Sequence, residues 1–126
     1  RRWESVAPFT GGSNILRGAA IDNARVSVAA APLRTTGRPL QVGRPVALSV
    51  RQHEITIASE KPQSADNHLA AVVTRQVFLG SVRDYTVALG DKTELRVTAP
   101  PGRNIAPGQP VWLHLPAEQC RALAEE

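Results

Sequence analysis

Aromatic residues are scarce in this 126-residue chain: two Trp, one Tyr and two Phe. Proteins that bind single-stranded nucleic acid on a β-barrel stack bases on several exposed aromatic rings, so this scarcity argues against nucleic acid as a partner despite the net charge of +4. No stretch reaches the roughly 18 uninterrupted apolar residues of a membrane span. The amino end, Arg1-Arg2-Trp3-Glu4, lacks the apolar core of a signal peptide. The single Cys120 cannot form an internal disulfide, so nothing requires an oxidising compartment and the cytosol is the simplest assignment. Catalytic signatures are missing too. There is no phosphate-binding Gly-x-x-x-x-Gly-Lys-Ser/Thr run, no Gly-x-Ser-x-Gly elbow, no His-Glu-x-x-His pair and no Cys-x-x-Cys pair. Catalysis by this chain alone is not expected, and neither a cofactor nor a metal is implied for it.

What is present is alternation. Apolar residues recur with period two, the pattern of strands buried on one face, and helical spacing is nearly absent. The expected strands are 15–21, 25–30, 46–50, 54–58, 69–79, 85–89, 95–98 and 111–115. They are separated by breakers such as Gly37-Arg38-Pro39, Gly43, Pro100-Pro101-Gly102 and Pro107-Gly108. Leu89-Gly90-Asp91-Lys92 reads as a hairpin tip with Gly90 available for positive φ. Pro116 suits a first helical turn, and a short closing helix is expected over 116–125 with Cys120 on its apolar face.

A repeat organises these strands. Gly43-Arg44-Pro45-Val46-Ala47-Leu48 returns as Gly108-Gln109-Pro110-Val111-Trp112-Leu113, and Ser13-Asn14-Ile15-Leu16 has an echo in Asp66-Asn67-His68-Leu69. Each copy opens with Asn-x-Leu and closes with Gly-x-Pro-Val-x-Leu, in which Gly turns the chain and Pro sets φ where no ladder donor is yet needed. The fold class is therefore all-β, a barrel or sandwich of two similar half-domains packed against each other. The first half is set at 14–63 and the second, with the closing helix, at 64–126. Charge divides between them, +5 over residues 1–63 and −1 over 64–126. The basic half could meet an acidic partner surface.

His53, His68 and His114 lie on separate strands or their edges and could converge on a metal only if the barrel brought them together. Alternation turns them toward solvent. Cys120 reads as a small apolar residue rather than a nucleophile.

Phe9-Thr10-Gly11-Gly12-Ser13-Asn14-Ile15-Leu16-Arg17-Gly18 resembles the junction at which ATP-binding subunits of ABC importers pass into their C-terminal regulatory domain, the transport-associated OB (TOBE) domain. The family's form there is Phe-Ile-Gly, then Asn-x-Leu-x-Gly. Gly43 to Arg51 resembles the strand leading to the family's Arg-Pro-Glu, although this chain has Arg51-Gln52-His53 with Glu54 one place later. Val77-Phe78-Leu79-Gly80-Ser81 resembles its Phe-Leu-Gly hairpin, and Pro107 to Glu118 its closing strand. The Phe-Leu-Gly-Ser form is most similar to the polyamine, ferric-iron and organophosphonate importers.

The resemblance covers the whole chain, implies an OB-like β-barrel made of two interlocked OB-like half-domains, and makes residues 1–13 the remnant of a junction with a nucleotide-binding domain. It implies a cytoplasmic domain held at the inner face of the membrane through its transporter. ATP and Mg would belong to the parent chain. The partners implied are the nucleotide-binding domain of that chain, a second ATPase subunit in a homodimer and, indirectly, the membrane permease. Its role would be to bias the ATPase cycle through contacts. Arg51, Glu54, Phe78 and Gly80 are the candidate contact residues. An alternative is oxyanion binding: related barrels that hold molybdate carry Ser-Ala-Arg-Asn where this chain has Ser64-Ala65-Asp66-Asn67. Ser64 and Asn67 would form that site, with the Asp66 charge opposing it. A single-stranded nucleic-acid-binding OB-fold is the remaining alternative.

Overall fold

The computed structural model describes residues 9–10, 12–63 and 66–123. Its described strands are β1 (Phe9–Thr10), β2 (Ser13–Ala20), β3 (Arg25–Val28), β4 (Ala31–Arg34), β5 (Pro45–Arg51), β6 (Thr56–Ala58), β7 (His68–Phe78), β8 (Arg83–Leu89), β9 (Glu94–Ala99), β10 (Pro110–His114) and β11 (Arg121–Ala122). One sheet has the order β11-β5-β2-β3-β4, with β1 also on β2, and the other has the order β6-β10-β7-β8-β9. All the strand pairings between these elements are antiparallel.

The two sheets are copies of one another. In each, a meander of three strands is followed by a long return to a fourth that pairs with the first. A single 3-10 turn comes next, Gln52–Glu54 or Ala117–Gln119, and then a short strand. That last strand crosses to the other sheet's numbering: β6, from the first half of the chain, pairs with β10, while β11, from the second half, pairs with β5. The halves are thus interlocked by an exchange of edge strands. Alternate residues of both sheets enter one continuous core, including Leu16, Leu33, Leu48, Ile55, Val73, Tyr85, Leu95, Leu113, Leu115 and Cys120. Tyr85 is 1% exposed, and its hydroxyl donates to the Arg103 carbonyl at 2.8 Å and accepts from the Ile105 amide at 3.3 Å.

The repeated Gly-x-Pro motif now has a structural reason. The Arg44 amide donates to the Gln41 carbonyl and the Gln109 amide to the Ala106 carbonyl, closing a tight turn in each half. Gly43 and Gly108 occupy its third position at φ 82° and 93°. In the first half Ala20 receives the Gly43 amide and gives its own to the Arg44 carbonyl; in the second, Val73 does the same with Gly108 and Gln109. Two residues therefore oppose one, a glycine-led bulge that starts β5 and β10. Pro45 and Pro110 follow at the strand starts, where a missing amide is tolerated.

Three expectations need correction. Residues 25–30 are not one strand: Ala29 and Ala30 take φ 48° and 67° in a tight turn between β3 and β4, a conformation usually signalled by Asn or Gly rather than two alanines. At the β8–β9 tip the positive φ belongs to Lys92 (71°), not Gly90, because the Lys92 amide closes a turn on the Leu89 carbonyl, after which the Thr93 carbonyl accepts the Leu89 amide and β9 begins at Glu94. The closing helix over 116–125 is absent among the described residues. Pro116 is extended, only Ala117–Gln119 form a 3-10 turn, and Arg121 and Ala122 pair with Ser49 and Leu48. Strand pairing to a buried sheet outcompetes a helix of fewer than three turns, which is marginal in water.

Candidate functional site

Two buried asparagines tie the sheets together, and they are the residues that open the two copies of the repeat. Asn14 is 0% exposed. Its side-chain oxygen accepts the Arg96 amide at 2.8 Å, and its nitrogen donates to the Arg96 carbonyl at 2.9 Å and the Val50 carbonyl at 3.3 Å. Asn67 is 4% exposed and does the same in reverse: its oxygen accepts the Arg34 amide at 2.7 Å, and its nitrogen donates to the carbonyls of Arg34 at 2.9 Å and Leu115 at 2.8 Å. Each amide thereby satisfies both backbone groups of a residue on an edge strand of the opposite sheet, groups that would be costly to bury unpaired. This joins the two half-barrels into one body. The repeat pointed to both asparagines, yet the sequence carried no sign that their partners would be backbone groups across the interface.

The arrangement bears on the two proposed oxyanion residues. Ser64 lies outside the described residues. Asn67 has both ends of its amide engaged by main-chain groups, so an anion there would have to displace the tie between the sheets. Asp66 pairs with Arg34 at 3.5 Å.

Arg51 and Glu54 sit at the end of β5 and in the turn that follows. The Glu54 carboxylate accepts the Arg51 amide at 3.3 Å and forms an ion pair with Arg121 at 3.2 Å. The Arg121 guanidinium holds the Glu54 carboxyl below its ordinary range, with the Arg51 amide adding to the effect. The carboxylate thus clamps β11 to the sheet it joins, while the Arg51 side chain is exposed.

Phe78 and Gly80 occupy a different place, the β7–β8 hairpin tip. Phe78 is 57% exposed and Leu79 55% exposed, and Gly80 turns the chain at φ 87°. Arg83 lies with its guanidinium 4.7 Å from the centre of the Phe78 ring. The same guanidinium donates to the Pro101 carbonyl at 2.8 Å and to the Gln76 side-chain oxygen at 2.6 Å, and Gln76 in turn donates to the Ile105 carbonyl at 2.8 Å. The tip is therefore an exposed apolar pair on a braced base. The structure does not bring it together with Arg51 and Glu54 through any described contact.

A cleft of about 350 Å³ is lined among others by Arg38, Leu40, Arg44, Val46 and Leu123. Cys120 is fully buried beside Asn67 and Leu115, and burial raises its thiol pKa to about 11. It is a core residue, though in extended backbone just after a 3-10 turn rather than in a helix. Among the described residues no group of three or more His, Cys, Asp or Glu is placed to hold a metal ion. None of the described helices is long and apolar enough to cross a membrane.

Two interlocked half-barrels, begun by equivalent asparagines and closed by equivalent glycine-proline bulges, define a duplicated β-domain. The family model of the TOBE domain matches residues 48–123, more than half of the chain, and the chain belongs to that family. It is 31% identical over 143 residues to the spermidine/putrescine import ATP-binding protein PotA of Frankia alni, a match covering 98% of this chain and 31% of the relative. The chain thus spans about a third of that relative's length. Its fold is similar to that of the cytoplasmic molybdate-binding protein ModG in its molybdate-bound crystal form. The TM-score is 0.77 at 15% identity, over 88% of this chain and 95% of that one.

Proposed function

We propose that this TOBE domain is the C-terminal regulatory and dimerisation part of the ATP-binding subunit of an ABC importer. In this reading ATP and Mg are bound by a nucleotide-binding domain of the same parent chain. The barrel biases that domain's cycle through contacts with a second subunit in a homodimer, or with a regulator, beneath the membrane permease. Such a domain needs no catalytic residue. A difference in contact free energy of ~1–3 kcal/mol between open and closed states suffices to shift the cycle.

The observation that carries the reading is the pairing of a tied, duplicated body with one braced apolar tip. A body joined by two buried asparagines transmits a push without deforming. Phe78 and Leu79 present an apolar surface that a solvated surface hairpin does not require. The likeness to an import ATP-binding protein along nearly the whole chain supports the same assignment.

The test is ATP hydrolysis by the whole subunit assembled with its permease, with and without residues 14–126. Retained basal hydrolysis with altered stimulation by the transported solute supports a regulatory domain. Unchanged basal and stimulated rates overturn it.

The likeness of fold to a molybdate-binding protein keeps oxyanion binding as a second reading. The engagement of Asn67 by Arg34 and Leu115 weighs against it at the position the sequence suggested. Calorimetric titration with molybdate, tungstate and sulfate decides between the two.

A further inference from the structure

The outer face of the second sheet carries a histidine pair that the regulatory reading does not use. His68 and His114 are direct partners in the β7–β10 ladder. The Leu115 amide donates to the Asn67 carbonyl, and those two residues are the next opposed pair. Hydrogen-bonded and non-hydrogen-bonded pairs alternate along an antiparallel ladder, so His68 and His114 form a non-hydrogen-bonded pair, the kind whose side chains approach most closely. Their neighbours Leu69 and Leu113 point into the core, which turns both imidazoles to the outer face. The ring centres are 5.4 Å apart and the planes are tilted by 53°.

That separation suits chelation. A zinc ion about 2.1 Å from an imidazole nitrogen lies about 3.3 Å from the ring centre, so centres 5.4 Å apart subtend an angle of about 110° at a shared ion. This is close to the tetrahedral angle. Both rings are held on paired strands of one sheet, so little freedom remains to be lost when an ion is bound.

From this geometry we infer that His68 and His114 form a surface chelate for a borderline divalent transition ion of the zinc, nickel or copper type, with water in the remaining positions. The imidazoles bind in their neutral form. Lys61, whose ammonium lies 5.1 Å from the centre of the Trp112 ring two residues before His114, is the nearby cation that limits affinity, and Asp66 is the nearby carboxylate that supports it. A bound ion would clip β7 to β10 near the point where Asn67 ties the sheets. The inference stands independently of the transport reading.

Calorimetric titration of the 126-residue chain with zinc chloride at pH 7.5 tests it, paired with thermal melts in the presence and absence of zinc. One ion should bind, and the melting temperature should rise. His68→Ala and His114→Ala should each weaken binding at least tenfold and abolish the thermal shift, while His53→Ala, an exposed histidine elsewhere, should leave both unchanged. Lowering the pH to 5.5 should weaken binding at least tenfold, since protons compete with a metal ion for nitrogen ligands. The proposal is overturned if the native chain binds zinc no more tightly than the His68→Ala/His114→Ala double variant, or if His53→Ala weakens binding as much as either single change.

Discussion

The two halves of this domain agree where they face each other and differ where they face away. β2 to β5 and β7 to β10 share their order, their asparagine ties, their bulges and the exchange of a final strand. Their hairpin tips do not match. The first half turns between β2 and β3 through Ile21 to Ala24, where Asp22 caps the Ala24 amide and pairs with Arg25, leaving Ile21 39% exposed. The second half extends β7 to Phe78 and raises two apolar side chains on a base braced by Arg83. Residues that hold the halves together are constrained by both; residues at the tips are constrained by neither, and that is where a contact specific to one partner can reside.

The most severe way to break the comparison is at Gly18, which lies four residues after Asn14, as Ala71 lies four after Asn67. A Cβ at Gly18 would overlap the Ser27 carbonyl and come within 2.8 Å of a Val26 methyl, whereas the second half accepts alanine. Gly18→Ala should therefore destabilise the domain by ~4 kcal/mol or more, a collapse visible in chemical denaturation, because backbone rather than a flexible side chain would have to move.

The asparagines come next. Asn14→Ala and Asn67→Ala should each cost about 3 kcal/mol by removing the side-chain partner of three main-chain groups, the partly buried amide and carbonyl of Arg96 or Arg34 and the buried carbonyl of Val50 or Leu115. The equivalence of the halves predicts similar losses, and a difference between them beyond about 1 kcal/mol would show that the two ties are not equal members of a pair.

A smaller effect sharpens the comparison between Cys120 and Ile55, which fill matching core positions after the two 3-10 turns. The Cys120 thiol is raised from 9.0 to about 11 by burial. A raised folded pKa means that its contribution is complete below pH 9 and is lost as pH rises toward 11. On the order of 2 kcal/mol of stability should disappear across that window, and Cys120→Ala should remove this part of the pH dependence. Denaturant melts at pH 8 and pH 10.5 for both chains measure it. The smallest effect is at the β8–β9 tip. Lys92→Gly should stabilise by about 0.5 kcal/mol, because Lys92 holds the positive φ that the sequence had suggested for Gly90.

Much of this was legible in the sequence. Alternation gave the all-β class and most strands, and the paired Gly-x-Pro-Val-x-Leu motif revealed the duplication because a glycine bulge and a strand-starting proline leave a chemical trace. The Ala29-Ala30 turn was not legible, since alanine carries no preference for positive φ and the tertiary pairing of β3 with β4 imposes it. Nor was β11, whose two residues become a strand only because Ser49 and Leu48 offer an unpaired edge. At the candidate site, exposure of Phe78 could not be separated from burial by periodicity, since it stands at the end of a long strand. The engagement of Asn67 was hidden for a different reason: its partners are backbone atoms distant in sequence, and main-chain groups leave no signature in side-chain identity.

The most direct measurement compares the two tips in the whole ATP-binding subunit assembled with its permease. The Phe78→Ser/Leu79→Ser double change should alter solute-stimulated ATP hydrolysis by roughly five-fold or more while leaving the domain's melting temperature nearly unchanged, and Ile21→Ser should alter neither. Equal stimulation in the native subunit and the Phe78→Ser/Leu79→Ser variant, or an equal loss from Ile21→Ser, would contradict the assignment of the second tip as the regulatory contact.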